Sequence, residues 1–191
     1  MTGINDRYSS RCWVSPSRAD SGCKIIRAIA AQRQKGKLVK ITDFVSAHTV
    51  IPALVNRDKS SVLEELAAGL AAKHENLEQK QVLAVLQERE RISSTAIGDG
   101  VAIPHGKLPG LDKIYGLFAR SPAGVDFNSL DGGPTHLFFV LIAPENAATD
   151  HLKALARISR LLKDESFRQH LMAGSTNQEL FQLISAADDK F

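Results

Sequence analysis

The chemistry of this chain concentrates in Gly98-Asp99-Gly100-Val101-Ala102-Ile103-Pro104-His105-Gly106-Lys107. A short apolar run, Val101 to Ile103, meets a proline, and a single histidine follows between that proline and a glycine. Proline fixes φ and offers no N–H to a sheet ladder, so a strand is expected to stop at Pro104. Glycine permits a tight turn and a close approach by a neighbouring surface. The expectation is an imidazole at the end of a strand, carried on an open loop. Such an imidazole suits a nucleophile, a base or a metal ligand. The same residues equally suit a strand-end turn that merely contains a histidine.

The longer segment Ser94-Thr95-Ala96-Ile97-Gly98-Asp99-Gly100-Val101-Ala102-Ile103-Pro104-His105-Gly106-Lys107 resembles the active-site motif of the enzyme IIA family of the bacterial phosphotransferase system. Within that family it is similar to the fructose/mannitol class, nitrogen-regulatory type. Arg89-Glu90-Arg91 upstream and Asp150-His151-Leu152 downstream fall where the family carries its other site residues. The resemblance runs from about Ile41 to about Ser185. It implies an α/β sandwich, a mixed and mostly central sheet flanked by helices. It also implies that His105 accepts a phosphoryl group from an HPr-like phosphocarrier protein and that the phosphorylated form regulates other proteins, in nitrogen- or potassium-linked control. The regulated targets are not named by the sequence.

Phosphoryl transfer through histidine asks little of a protein. Neutral imidazole is the nucleophile, and an ordinary pKa of about 6.5 leaves it largely unprotonated at cytosolic pH. The remaining needs are orientation, and positive charge or donors around three phosphate oxygens. His105 is the candidate nucleophile. His151 falls at the start of an expected helix, where the dipole favours the neutral ring, and the resemblance makes it a stabiliser of the phosphate. Arg89 matches the family arginine near the site. Ser94 and Thr95 offer hydroxyls. Each also has a plain structural reading: a helix-capping histidine, a solvated helix end, and loop hydroxyls before a glycine-rich turn. No cofactor or metal is expected, because no metal-ligand spacing occurs and the glycines do not form a nucleotide-binding phosphate loop.

The remaining residues must position these groups. Ser61 with Glu64 reads as a capping box opening a helix through Val62, Leu63, Leu66 and Leu70. A second helix is expected from about Glu78 to Arg91, with Val82, Leu83 and Leu86 inward and Arg89 at its end. Strands are expected at Val101–Ile103, Ile114–Phe118 and His136–Ile142, the last apolar on both faces as in a covered central strand. A helix from Thr149 or Asp150 to Leu162 follows, then short helices at Phe167–Met172 and Gln178–Ile184, the last opened by Thr176 and Glu179. Ala96, Ile97, Val101 and the helix at His151 are expected to form a docking rim, with Lys153, Arg157 and Arg160 steering an acidic partner.

Composition bounds the rest. Residues 1–40 hold nine Lys/Arg against two Asp, and residues 41–191 hold fifteen basic and nineteen acidic residues. The basic excess thus belongs to the N-terminal segment and gives the domain no nucleic-acid signature. Residues 1–40 read as a basic, disordered extension, dispensable for phosphotransfer, and residues 41–191 as one enzyme IIA domain. Both cysteines, Cys12 and Cys23, lie in the extension, which fits a reducing, cytoplasmic setting. No apolar run is long enough for membrane insertion. Two other functions stay open. One is a sugar-specific fructose or mannitol IIA that passes phosphate to a IIB component. The other is a non-catalytic protein-binding module.

Overall fold

The computed structural model describes residues 39–190. The expected extension therefore lies, apart from its last two residues, outside the described residues. The described chain starts with two 3-10 turns, Ile41–Asp43 and Ala47–Thr49. Six strands follow: β1 (Val50–Ile51), β2 (Ala96–Gly98), β3 (Val101–Ala102), β4 (His105–Leu108), β5 (Tyr115–Val125) and β6 (Thr135–Pro144). Five α-helices accompany them: α1 (Lys59–Ala71), α2 (Gln79–Ile92), α3 (Ala148–Leu162), α4 (Glu165–Ala173) and α5 (Asn177–Asp188). None of them is long and apolar enough to cross a membrane.

The strands form one mixed sheet in the order β1-β5-β6-β3-β2, with β4 also paired to β6. β6 is central. It runs antiparallel to β5 and parallel to both β3 and β4. Its side chains alternate between two cores, as the twofold strand period requires. Phe138, Val140 and Ile142 pack with α1 and α2 through Val62, Leu66, Leu70, Val82 and Leu86. Leu137, Phe139 and Leu141 pack with α3, α4 and α5 through Ala154, Ile158, Leu161, Leu171, Leu180 and Ile184. The mixed sheet covered on both faces is the expected α/β sandwich, and β6 is its doubly buried strand.

The strand expected to end at Pro104 does not simply end there. β3 stops at Ala102, but the chain resumes as β4 at His105 and stays in the same register on β6, with Ala102 opposite Phe138 and His105 opposite Leu141. Proline lacks only the donor. Its carbonyl still accepts from the Leu141 N–H at 3.0 Å, so the ladder is bridged rather than broken. His105 is thus the first residue of a strand and not part of an open loop.

Local signals set the helix ends, with corrections. The α1 cap is Asp58, whose carboxylate accepts from the Ser61 N–H at 2.9 Å, and the helix begins before the expected Ser61–Glu64 box. A caps-rich stretch offers several start points, and the aspartate engages first. At α5 the Thr176 hydroxyl accepts from the Glu179 N–H at 3.2 Å. The Glu179 carboxylate answers one residue early, at Ser175 N, 2.9 Å away. α2 keeps the expected inward stripe: Val82 and Leu86 are buried.

Gly106 decides how close α2 comes to β4. A Cβ at this position would meet Val85 Cγ2 at 2.9 Å and Val85 Cβ at 3.1 Å. Gly106→Ala is therefore expected to destabilise the fold by about 1–3 kcal/mol through overpacking. Denaturant unfolding should show this loss, and Val85→Ala should restore part of it in the double variant.

Candidate active site

His105 stands on the strand at the edge of β6, between the two helical layers. Its Nδ1 lies 2.8 Å from the Ile103 carbonyl oxygen. A carbonyl only accepts, so Nδ1 carries the proton and Nε2 keeps the lone pair. The Arg89 Nε–H points at that lone pair, donating to Nε2 at 3.2 Å. Arg89 reaches this place because Val85 and Arg89 are four residues apart on one face of α2. Val85 packs on Gly106, and Arg89 lies one turn further along, beside His105. A second guanidinium nitrogen donates to the Ser93 carbonyl at 3.1 Å and holds the arginine along its own helix end.

The other helical layer supplies His151, in the first turn of α3. Its ring meets that of His105 edge to face, with centroids 5.5 Å apart. The ring is buried, and its Nε2 has no hydrogen-bond partner among the described residues. β6 ends at Pro144 and α3 starts at Ala148, so a short connection is enough to bring the helix start alongside β4.

Both rings favour the neutral state. Burial pushes the His105 pKa below its ordinary value, and the Arg89 guanidinium adds to the shift, against the Ile103 carbonyl and Glu90. Burial also lowers His151, to about 4, helped by His105 and Lys107. The site therefore presents an unprotonated Nε2, a fixed cation and a buried neutral imidazole within one small volume. That combination suits attack by Nε2 on an electrophile whose product carries negative charge.

Ser94 and Thr95 are engaged elsewhere. The Ser94 hydroxyl donates to the Phe127 carbonyl at 3.0 Å, and the buried Thr95 hydroxyl donates to Glu90 at 2.5 Å. The expected rim is also corrected. β2 alternates, so Ile97 is exposed while Ala96 turns inward, and Val101 is buried on β3. Arg157 is no steering charge: its side chain is 9 % exposed and its guanidinium is bound to the fully buried Asp188. The 3.6-residue period puts Arg157 three residues from both Ala154 and Arg160, on the border of the apolar face, and only the position of α5 tells which way it turns. Among the remaining histidines, His136 bonds the Ser121 carbonyl through Nδ1 at 2.9 Å, and His74 packs edge-on against Tyr115.

Sequence reasoning named Glu90 only within the Arg89–Arg91 segment, with no role of its own, and passed over Lys59. Glu90 is buried, accepts from Thr95 and pairs with Lys59 Nζ at 2.8 Å. Its signal was available: Val82, Leu86 and Glu90 recur every fourth residue, so a carboxylate ends an inward apolar stripe.

The depressed His151 pKa links to stability. The unfolded chain takes up a proton near the ordinary value of 6.5, whereas folded His151 refuses it until about 4. Stability is thus expected to fall as pH drops through that window. Denaturant midpoints of wild type and His151→Gln at neutral and mildly acidic pH should show a smaller acid loss in the variant. NMR titration of the ring should place its midpoint well below that of an exposed histidine.

With this geometry in hand, known proteins provide the context. Residues 43–187 match the family model described as "Phosphoenolpyruvate-dependent sugar phosphotransferase system, EIIA 2". A nitrogen regulatory protein of Bradyrhizobium diazoefficiens is 48 % identical over 145 residues, covering 76 % of this chain and 94 % of that protein. A fructose-specific EIIABC component of the phosphotransferase system in Bacillus subtilis is 35 % identical over 150 residues, covering 78 % of this chain but 24 % of that protein. The crystal structure of the nitrogen regulatory protein IIA-Ntr from Neisseria meningitidis superimposes with a TM-score of 0.71 at 31 % identity, covering 75 % of this chain and 98 % of that one. The sandwich, the match across nearly the whole described region and the identity to the Bradyrhizobium protein agree: this chain belongs to the EIIA 2 family of the phosphoenolpyruvate-dependent phosphotransferase system.

Proposed function

We propose that this protein is a regulatory enzyme IIA that takes a phosphoryl group onto His105 Nε2 from an HPr-like phosphocarrier in the cytoplasm, and that its phosphorylation state controls other proteins. The observation that carries the reading is the pair of bonds on the imidazole: Nδ1–H held by Ile103 and Nε2 facing the Arg89 guanidinium.

In the transfer, the lone pair of Nε2 attacks phosphorus. The bond from phosphorus to the carrier nitrogen breaks as the Nε2–P bond forms, and the carrier imidazole leaves with the electron pair. The proton stays on Nδ1, hydrogen-bonded to the Ile103 carbonyl, and that acceptor stabilises the positive character that the ring gains. Arg89 exchanges its bond to Nε2 for the new phosphate oxygens. His151, neutral and with a buried nitrogen that has no partner among the described residues, donates one N–H to the same group. Donors fixed before the charge develops need no reorganisation, which is the usual source of rate at such centres. Ser94 and Thr95 support the loop through the bonds described above and would have to break them to reach a phosphate.

The regulatory role is favoured over sugar uptake by the relative named as a nitrogen regulatory protein, whose length this chain spans almost entirely. A sugar-specific IIA that hands phosphate to a IIB component is the second reading, favoured by the fructose-specific relative. A binding module without phosphotransfer is opposed by the intact His105–Arg89–His151 grouping.

Incubation with phosphoenolpyruvate, enzyme I and the carrier should add one acid-labile, base-stable phosphoryl group, assigned to Nε2 by phosphorus NMR. His105→Ala should abolish it while leaving the fold intact. Arg89→Gln and His151→Ala should each keep His105 as the acceptor but slow the transfer, by roughly tenfold to a hundredfold. Undiminished labelling of His105→Ala, or stable label on His151 with His105 free, would defeat the assignment. Rapid onward transfer to a fructose-type IIB component would favour the second reading.

A further inference from the structure

Glu90 makes no bond to His105, yet two separate routes lead from it to that ring. Its side chain is 4 % exposed and its carboxylate pairs with Lys59 Nζ at 2.8 Å. The carboxylate also accepts the Thr95 N–H at 3.0 and 3.1 Å and the Thr95 hydroxyl at 2.5 Å. The first route runs through the sheet. With its N–H and hydroxyl held, the Thr95 peptide offers its carbonyl to the Ile103 N–H at 3.0 Å. The Ile103 carbonyl in turn holds His105 Nδ1 at 2.8 Å. The second route is the chain itself. Arg89 precedes Glu90 in the last turn of α2, and anchoring Glu90 to both Thr95 and Lys59 fixes the turn from which Arg89 reaches Nε2.

We infer that Glu90 is the positioning residue of the site. Bound to Lys59 at the start of α1 and to Thr95 at the entry to β2, it sets the tautomer of His105 through Ile103 and the reach of Arg89 through α2. A buried carboxylate with both oxygens occupied by charged or backbone donors is held firmly. The demand for an acceptor explains why an anion, rather than another apolar residue, ends the Val82–Leu86 stripe. Thr95 faces this carboxylate with two donors, and any apolar replacement would leave them buried and unpaired. Lys59 lies over the Phe127 ring at 5.0 Å and supplies the compensating charge.

The inference rests on the phosphoryl-acceptor reading for its kinetic arm only. Glu90→Gln keeps the size, offers one acceptor oxygen in place of two and leaves Lys59 without its counter-ion. In the unphosphorylated protein, nitrogen NMR of the His105 ring should change from a single Nδ1–H tautomer to a mixture. Phosphoryl acceptance, measured well below the melting temperature, should lose at least about tenfold in limiting rate, with little change in the carrier concentration needed for half-saturation. Thr95→Ser should retain wild-type behaviour and Thr95→Val should follow Glu90→Gln in both readouts. This pair decides the matter if Glu90→Gln does not fold. Thr176→Ala, which removes the α5 cap far from the site, is the destabilised control and should move neither readout. A folded Glu90→Gln with a single Nδ1–H tautomer and wild-type rate would overturn the inference. If wild type itself accepted no phosphoryl group, the proposed function would fail, while the tautomer measurement would still judge the role of Glu90.

Discussion

The continuous register of β3 and β4 along β6 is the constraint on which the site depends. Pro104 removes one donor from the ladder, but its carbonyl keeps the Leu141 N–H, and the chain on either side pairs without a shift. His105 is consequently held by a strand, with its backbone fixed before any partner arrives. The doubly buried β6 beneath it is among the least deformable parts of the molecule, since its residues from Phe138 to Ala143 are almost wholly excluded from solvent. An imidazole on a free loop would surrender conformational entropy at each encounter with a partner, whereas His105 has surrendered it on folding.

The helical layers supply the rest from opposite sides. α2 approaches β4 only because Gly106 has no side chain, and that approach carries Arg89 to the lone pair of His105. α3 follows β6 after a short connection and places His151 against the other side of the ring. The charged groups near this junction are arranged unequally. Lys59 and Glu90 neutralise one another beneath the surface, as do Arg157 and Asp188 beyond it. Among the described residues, Arg89 has no carboxylate as a hydrogen-bond partner; it faces an imidazole, a carbonyl and a hydroxyl. Its charge is thus available to an incoming anion, whereas a paired arginine would have to exchange one anion for another.

Much of this was legible from residue order. The histidine motif marked the segment around which Arg89 and His151 gather, and the uninterrupted apolar run at Leu137–Ala143 marked the strand covered on both faces. The 3.6-residue spacing of apolar positions located the helices to within a few residues. Errors arose where the local signal was real but admitted two outcomes. A proline after three apolar residues reads as a strand end, and only pairing with β6 shows that the chain continues. Asp58 and Ser61 are both competent helix caps. Arg157 lies on the edge of an amphipathic face, and α5, contributed by the end of the chain, draws it inward onto Asp188.

By itself, then, the sequence determined where the helices and the apolar strands at Val101, Tyr115 and Leu137 run, because those depend on short-range periodicity, backbone restriction and turn residues; β1, β2, β4 and the far half of β5 took shape only through pairing in the sheet. Tertiary structure alone decided the proton position on His105, the meeting of Arg89 with Nε2, and the burial of His151. These depend on contacts between β4, α2 and α3, where shifts of an ångström make or break a hydrogen bond and where the surroundings, rather than the residue, set the charge state.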